Sequence, residues 1–222
     1  MSKTFAFIKL DFRLIKPYTT SILLYLALGV VMGFAFKSGS LLSSFFMMSL
    51  MLIMSYPFTI GEKNALDTLY GTLSLNKRTV VIGRYFFVLI LTVVFFALTF
   101  VSSTALNRIF KIDFDVVENL AMLCVLSGVF LIIAALQYPV YFKYGYTRAR
   151  FLTLLPLFII FLPIIQLPAL ARRFGWNFSW ENIVTGIAGN PLLLCILPLM
   201  AGLIALTLSC ALSCRIYAGR EI

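Results

Sequence analysis

The sequence predicts an all-α membrane protein with six transmembrane helices, and three observations support this fold class. Hydrophobic residues make up 62% of the 222 residues, whereas 12% are charged, about half the charged share of a soluble domain. The apolar residues fall into six runs, each close to the roughly 20 residues that cross a bilayer as a helix. The runs lack the alternation of barrel strands. No polar stretch is long enough to fold alone, so we predict one membrane domain over residues 1–222.

An amphipathic segment, residues 1–17, precedes the first span. The cations Lys9, Arg13 and Lys16 share one arc of a helix with 3.6 residues per turn. An adjacent arc, which Asp11 interrupts, is apolar and consists of Phe5, Ile8, Phe12 and Ile15. This pattern predicts a helix lying on the membrane interface with its cations toward anionic headgroups. A plain extension of the first span is the alternative.

The predicted spans cover residues 18–36, 41–59, 80–106, 119–142, 151–171 and 191–214. The turn at Lys37–Ser40 is so short that the first two spans form a helical hairpin. The fourth and fifth spans contain Pro139, Pro156 and Pro163, with Gln166 between prolines. Each interior proline frees a backbone carbonyl and bends the helix, so these four are candidate gating or pathway residues. Ordinary membrane-helix prolines are the alternative.

Small residues at helical spacing occur in two spans. The first span contains Gly29 and Gly33. In the last span the small residues are Ala201, Ala205, Ser209 and Ser213. Such residues let helices approach closely. The sequence leaves open whether they pack within one chain or between two copies.

The distribution of Lys and Arg predicts the orientation. Thirteen of the 18 lie in the two termini and the loops on their side of the membrane, and five lie on the opposite side. Loops rich in Lys and Arg stay in the cytoplasm. We therefore predict an inner-membrane protein with both termini cytoplasmic.

Missing residue types exclude several kinds of mechanism. No ionisable side chain lies in the middle of a predicted span, which argues against a proton relay. The chain has no His, so zinc sites with His ligands and Ser–His hydrolases are excluded. No P-loop sequence is present, so this chain does not bind ATP in that way. The cations lie beside apolar spans, so nucleic acid is not expected as a partner. We assign no catalytic, cofactor-binding or metal-binding residues.

The longest loop on the predicted cytoplasmic side, residues 60–79, has an apolar helical face. That face carries Leu66, Leu69, Tyr70 and Leu73, with Glu62 one turn earlier. The pattern favours a short amphipathic helix, and a solvated connector is the alternative. The predicted outer loop, residues 172–190, carries Trp176 and Trp180, which are typical interface anchors.

Residues 61–85 resemble the cytoplasmic loop of ABC type 2 exporter permeases of the small six-span kind, such as those of bacterial peptide and phenol-soluble modulin exporters. In that family an acidic residue follows the second span, a short helix ends in a turn, and a cation and an aromatic residue open the third span. The matching residues are Glu62, Leu66, Leu69, Leu73, Lys77, Arg78, Arg84 and Tyr85. The family's proline in the turn is absent from Leu73-Ser-Leu-Asn76.

The resemblance implies a coupling helix that docks on a separate ABC ATPase subunit, which binds ATP and Mg²⁺. The docking residues would be Glu62, Leu66, Leu69, Tyr70 and Leu73. Lys77, Arg78 and Arg84 would hold the loop against lipid headgroups. The permease would act with a second copy or a homologue and export an amphipathic or hydrophobic cargo, such as a peptide. An ion-coupled or passive transporter and a non-transport scaffold or immunity protein are the alternatives.

Overall fold

The structure, a computed structural model, describes residues 3–64, 76–111, 115–149 and 191–219. These ranges consist of helices and short turns, and they contain no strand. The helices are α1 Lys3–Ile15, α2 Thr19–Ala35, α3 Gly39–Ile53, α4 Tyr56–Lys63, α5 Lys77–Ile109, α6 Val116–Tyr144, α7 Tyr146–Ala149 and α8 Pro191–Ala218. A short 3-10 turn, Lys16–Tyr18, joins α1 to α2.

Five helical segments are long and apolar enough to cross a membrane. They are Ile8–Ala35, Gly39–Lys63, Lys77–Ile109, Val116–Tyr144 and Leu192–Ala218. All five overlie predicted spans, so the predicted all-α, multi-pass membrane fold is confirmed. The other predicted span, residues 151–171 with Pro156, Pro163 and Gln166, lies outside the described residues. So does the predicted outer loop, residues 172–190.

The α2–α3 hairpin forms as the short turn predicts. Lys37 adopts a left-handed conformation with φ 50°, and the Ser38 side chain accepts a hydrogen bond from Leu41 N at 3.4 Å. Gly29 and Gly33 lie at the helix contact. A Cβ on Gly33 would stand 2.9 Å from Leu42 Cβ. The two glycines of the first span therefore pack within the chain, where only hydrogen atoms fit between the helices.

The second predicted span is interrupted, which the sequence interpretation did not anticipate. Helix α3 ends at Ile53, and α4 starts at Tyr56 after a turn at Met54 and Ser55. Pro57 lies in the first turn of α4 and has no N–H to donate to the carbonyl four residues earlier. The turn is stabilised from within, because Ser55 Oγ donates to Leu52 O at 2.8 Å.

Helices α6 and α8 cross in close contact at two glycines. A Cβ on Gly128 would lie 2.5 Å from the Pro198 carbonyl oxygen, and one on Gly202 would lie 2.8 Å from Leu131 Cβ. Such a crossing requires glycine on both helices, because any side chain would separate the backbones. Helices α6 and α8 are therefore in backbone contact at this crossing.

The short helices lie together at one end of the bundle. Helices α1, α4 and α7 lie there with the first residues of α5 and the last of α8, and α1 packs on α5 and α4. We call this the basal end. Its core is rich in aromatic side chains, and Phe87, Tyr138 and Phe142 are at most 2% exposed. The basal end therefore positions the residues considered next.

Candidate functional site

Arg84 is the buried charge at the centre of the basal end. It lies about two turns into α5, and its side chain is 5% exposed. Its guanidinium carbon lies 4.2 Å from the ring centroid of Phe58 and 5.6 Å from that of Phe142. Within the described part of the chain, Arg84 Nε has no hydrogen-bond partner. The aromatic faces therefore provide stabilisation for a cation that has lost much of its water.

This position differs from the one predicted for Arg84. The family resemblance implies that Arg84, like Lys77 and Arg78, lies at the lipid headgroups. Because α5 already begins at Lys77, Arg84 falls well inside the helix and faces α4 and α6. Arg78 is exposed, and the half-buried Lys77 donates from Nζ to Ala218 O at 3.4 Å.

Asp11 is the one acidic residue of α1, and this helix directs it into the bundle. Its side chain is fully buried, and neither carboxylate oxygen has a hydrogen-bond partner among the described residues. The buried guanidinium of Arg84 belongs to α5, one of the two helices on which α1 packs. Ile8 and Ile15, on the same face of α1, are 7% and 8% exposed. Ile8, Asp11 and Ile15 therefore form the face by which α1 docks on the bundle.

Glu62 connects the end of α4 to the segment that follows α6. Its Oε2 accepts a hydrogen bond from Thr147 N at 2.8 Å. Gly145 separates α6 from α7 and has φ 78°, a conformation that favours glycine. A Cβ on Gly145 would lie 3.2 Å from Glu62 Oε2. The predicted docking residue Glu62 thus already has a partner within the chain.

A small cavity of about 70 Å³ lies between these groups. Arg84, Glu62, Phe58, Tyr146 and Tyr217 are among its lining residues. Ligand pockets for drug-sized molecules measure about 300–1,000 Å³. This cavity is therefore too small to hold a peptide or lipid cargo, and it belongs to the framework of the basal end.

Aromatic rings join the elements around Arg84. The Phe58 ring lies 4.9 Å from those of Tyr138 and Tyr141 and 5.1 Å from that of Phe142. The ring of Phe142 in turn lies 5.4 Å from that of Tyr217 on α8. Such edge-to-face and tilted pairs each contribute about 0.5–1.5 kcal/mol beyond burial. Helices α4, α6 and α8 therefore meet in one packed cluster.

Pro139 lies inside α6, where we predicted a candidate gate. A proline cannot donate to the carbonyl four residues earlier, which here belongs to Ala135. Ser209 Oγ of α8 donates to that oxygen. Ser209 also bonds Tyr85 Oη at 2.7 Å, and Ser213 bonds the same oxygen at 2.8 Å. The freed carbonyl is thus satisfied across a helix contact.

These bonds also show how two of the four small residues of the last span pack. Ser209 and Ser213 are buried within the chain, whereas Ala201 is exposed. The two serines therefore pack inside this chain. Ala201 remains available to another surface.

Several predicted residues lie outside the described ranges. They are Leu66, Leu69, Tyr70 and Leu73 of the predicted coupling helix, and Pro156, Pro163 and Gln166 of the fifth predicted span. The structure describes both flanks of the coupling segment, ending at Asn64 and resuming at Asn76, whose side chain accepts from Arg78 N at 3.1 Å. Among the described residues no group of three His, Cys, Asp or Glu side chains could hold a metal ion.

The sequence does not identify two members of this site. Asp11 interrupts an apolar arc in the sequence and is buried in the structure, and Phe58 lies in an apolar run without a distinguishing signal. Tyr85 is among the residues that carry the family resemblance, but its bonds to Ser209 and Ser213 join residues far apart in the chain.

A family model described as ABC-2 family transporter protein matches residues 6–218. No curated protein and no solved structure matches the chain.

Proposed function

The chain belongs to the ABC-2 family of transporter proteins, and on that premise we propose that it is the permease subunit of an exporter driven by a separate ABC ATPase. The family is that of an ABC permease and agrees with the resemblance of residues 61–85. The similarity to peptide and phenol-soluble modulin exporters remains a prediction.

One observation carries this proposal: both flanks of the predicted coupling segment are attached to other helices. On one side, Glu62 accepts from Thr147 N beyond the end of α6. On the other side, Lys77 donates to the last residue of α8, Ala218. A displacement of residues 65–75 would therefore act on α4, α5, α6 and α8 together. A solvated connector would need no such attachment.

The attachments suggest how an ATPase would drive the spans. With the predicted orientation, the basal end faces the cytoplasm, where a soluble ATPase could reach it. ATP binding would close the ATPase pair, and the docked coupling helix would move as a rigid element. Since Phe58 and Arg84 pack against each other at 4.2 Å, α4 would pull α5 with it. This chain itself would hydrolyse no ATP.

The cargo path is proposed to lie between two permease copies. The basal cavity of about 70 Å³ cannot hold a peptide. Among the five spans of the described residues, those that contain α2 and α8 are the most exposed, since 11% and 17% of their apolar windows are buried, compared with 61% for α6. A second copy or a homologue would pack on one of these faces. An amphipathic or hydrophobic cargo, such as a peptide, would move along the contact.

The deciding experiment is co-purification with an ABC ATPase. The chain is expressed with candidate ATPase subunits, captured by a tag, and tested for a bound ATPase in detergent and in nanodiscs. Leu69→Asp places a charge on the predicted apolar face and is expected to abolish the association while membrane insertion persists. Thr68→Asp adds the same charge on the other side of the predicted helix and serves as the matched control.

The outcomes separate the proposal from its alternatives. Loss of the ATPase in Leu69→Asp alone supports a coupling helix. Equal binding by both variants would contradict it. Transport by the purified chain without any ATPase would identify an ion-coupled or passive transporter. A phenotype that persists when ATP hydrolysis of the partner is disabled would favour a scaffold or immunity protein.

A further inference from the structure

Helix α1 has two distinct faces. Ile8, Asp11 and Ile15 form the face buried against the bundle. Lys9 and Arg13, like Lys16 just after the helix, are exposed. At 3.6 residues per turn the centres of the two sets lie roughly 130° apart around the helix. One side of α1 therefore binds the basal end, and the other presents three cations.

The cationic face has one fitting partner on chemical grounds, the anionic headgroups of the surrounding leaflet. The chain enters a bilayer within a few residues of Lys16, since α2 begins at Thr19. Three cations beside a span therefore lie at headgroup depth. No carboxylate of α1 competes for them, because its one acidic residue, Asp11, is on the buried face.

The docked face of α1 contacts both α5 and α4. Asp11 and Arg84 are both buried where these helices meet, and beside Asp11 the ring of Phe12 packs edge to face on that of Phe87 at 5.0 Å between centroids. The Arg84 guanidinium lies on the Phe58 ring, and a Cβ on Gly61 would lie 3.2 Å from Arg84 Nη2. The position of α1 therefore affects Gly61 in α4, four residues before the coupling segment, residues 65–75, begins.

We propose that α1 is a sensor of anionic phospholipid, and that Asp11 and Arg84 pass its docking to α4 and the coupling segment. Anionic headgroups hold α1 at the membrane surface, where Asp11 compensates the buried guanidinium. When α1 leaves, Arg84 loses its counter-charge, and its packing on α4 loosens. Asp11 and Arg84 are positioning residues in this scheme. The step from α4 to an ATPase rests on the proposed function, whereas the lipid response does not.

The test measures amide hydrogen exchange of the full chain alone in nanodiscs. One set contains phosphatidylcholine, and the other contains phosphatidylcholine mixed with phosphatidylglycerol. Each cation near an anionic surface strengthens association about fivefold, so three give on the order of 100-fold. We expect exchange in Lys3–Ile15 and Tyr56–Lys63 to slow by about tenfold or more in the anionic discs.

Two triple variants test the cationic face. Lys9→Gln/Arg13→Gln/Lys16→Gln is expected to remove the lipid dependence of both segments. The control variant, Lys143→Gln/Arg148→Gln/Arg215→Gln, removes three other exposed cations of the basal end. It is expected to retain the lipid dependence of both segments. An unchanged response in the first variant, or an equal loss in both, would overturn the specific role of α1.

Variants of the link test transmission. Asp11→Asn is expected to leave α1 responsive to anionic lipid through its cations, while α4 no longer responds. Arg84→Met should behave alike, whereas Arg84→Lys keeps the charge and should retain the response of α4. A purely structural role would not separate the two segments or be rescued by lysine. Persistence of the α4 response in Asp11→Asn and Arg84→Met would overturn the link.

The two proposals fail in distinguishable ways. A chain whose exchange depends on anionic lipid but that binds no ATPase would overturn the proposed function and support the sensor. A chain that binds an ATPase but shows the same exchange in both lipids would overturn the sensor alone.

Discussion

The close crossing of α6 and α8 gives a prediction whose size follows from the structure. We consider Gly128→Val, because the Cβ position of Gly128 lies 2.5 Å from the carbonyl oxygen and 2.6 Å from the carbonyl carbon of Pro198. Both atoms belong to the backbone, so no change of rotamer can make room. The substitution must move α8 away from α6.

The required movement can be estimated. Ordinary contact starts at 3.4 Å, so the Cβ alone is about 0.9 Å too close, before the two methyl groups of valine are added. Over-packing of this kind costs about 1–3 kcal/mol, and the closed contact places Gly128→Val at the upper end. At about 2–4 °C per kcal/mol for a chain of this size, the melting temperature should fall by roughly 6–12 °C.

Thermal unfolding of the purified chain in one detergent, followed by light scattering or intrinsic fluorescence, measures the shift. Gly219→Val is the matched control, because the nearest atoms to its Cβ position are 3.9 Å away. We expect the control to stay close to the unchanged chain. If Gly128→Val and Gly219→Val melt together, the helices do not cross at Gly128, and the derived packing of Ser209 on α6 is wrong as well.

Three further predictions concern the basal end. Tyr85→Phe loses both serine bonds of its hydroxyl and should lower stability by about 1–2 kcal/mol in the same unfolding assay, whereas Tyr25→Phe, on the exposed side of α2, should not. Glu62→Gln weakens the charge-assisted bond to Thr147 N and should lower the cargo exported per ATP hydrolysed in reconstituted vesicles, with membrane insertion unchanged; an unaltered ratio would remove Glu62 from the coupling route. Gly145→Ala imposes a strained φ, worth about 1–3 kcal/mol, and should increase proteolysis after Lys143; resistance equal to that of the unchanged chain would contradict the turn.

The positions of the spans were predictable because a bilayer imposes them. A run of apolar residues long enough to cross the hydrocarbon core must be helical, since its backbone has no water to bond. The predicted span 119–142 therefore corresponds to Val116–Tyr144, and 80–106 to Lys77–Ile109. The family resemblance also rested on local sequence, and the ABC-2 match to residues 6–218 supports it.

The environment of charged residues was not predictable in the same way. Arg84 lies near the start of a span, where a cation usually reaches for headgroups. In the folded chain, Phe58 and Phe142 surround it, and these residues come from two other helices. No pattern within a short stretch of sequence indicates that these residues are in contact. The same is true of Asp11, whose burial depends on how α1 packs on α5.

The fold class, the approximate spans and the family were thus predictable from the amino-acid sequence, because each depends on composition or on residues close together in the chain. The contacts that hold the basal end together follow instead from the three-dimensional packing of the helices. The structure shows that the carbonyl freed by Pro139 accepts from Ser209, and that Glu62 holds the chain beyond α6. Two polar groups far apart in sequence become partners only when packing brings them within bonding distance, and in a membrane-spanning bundle that packing is set by the close approach of helices at small residues.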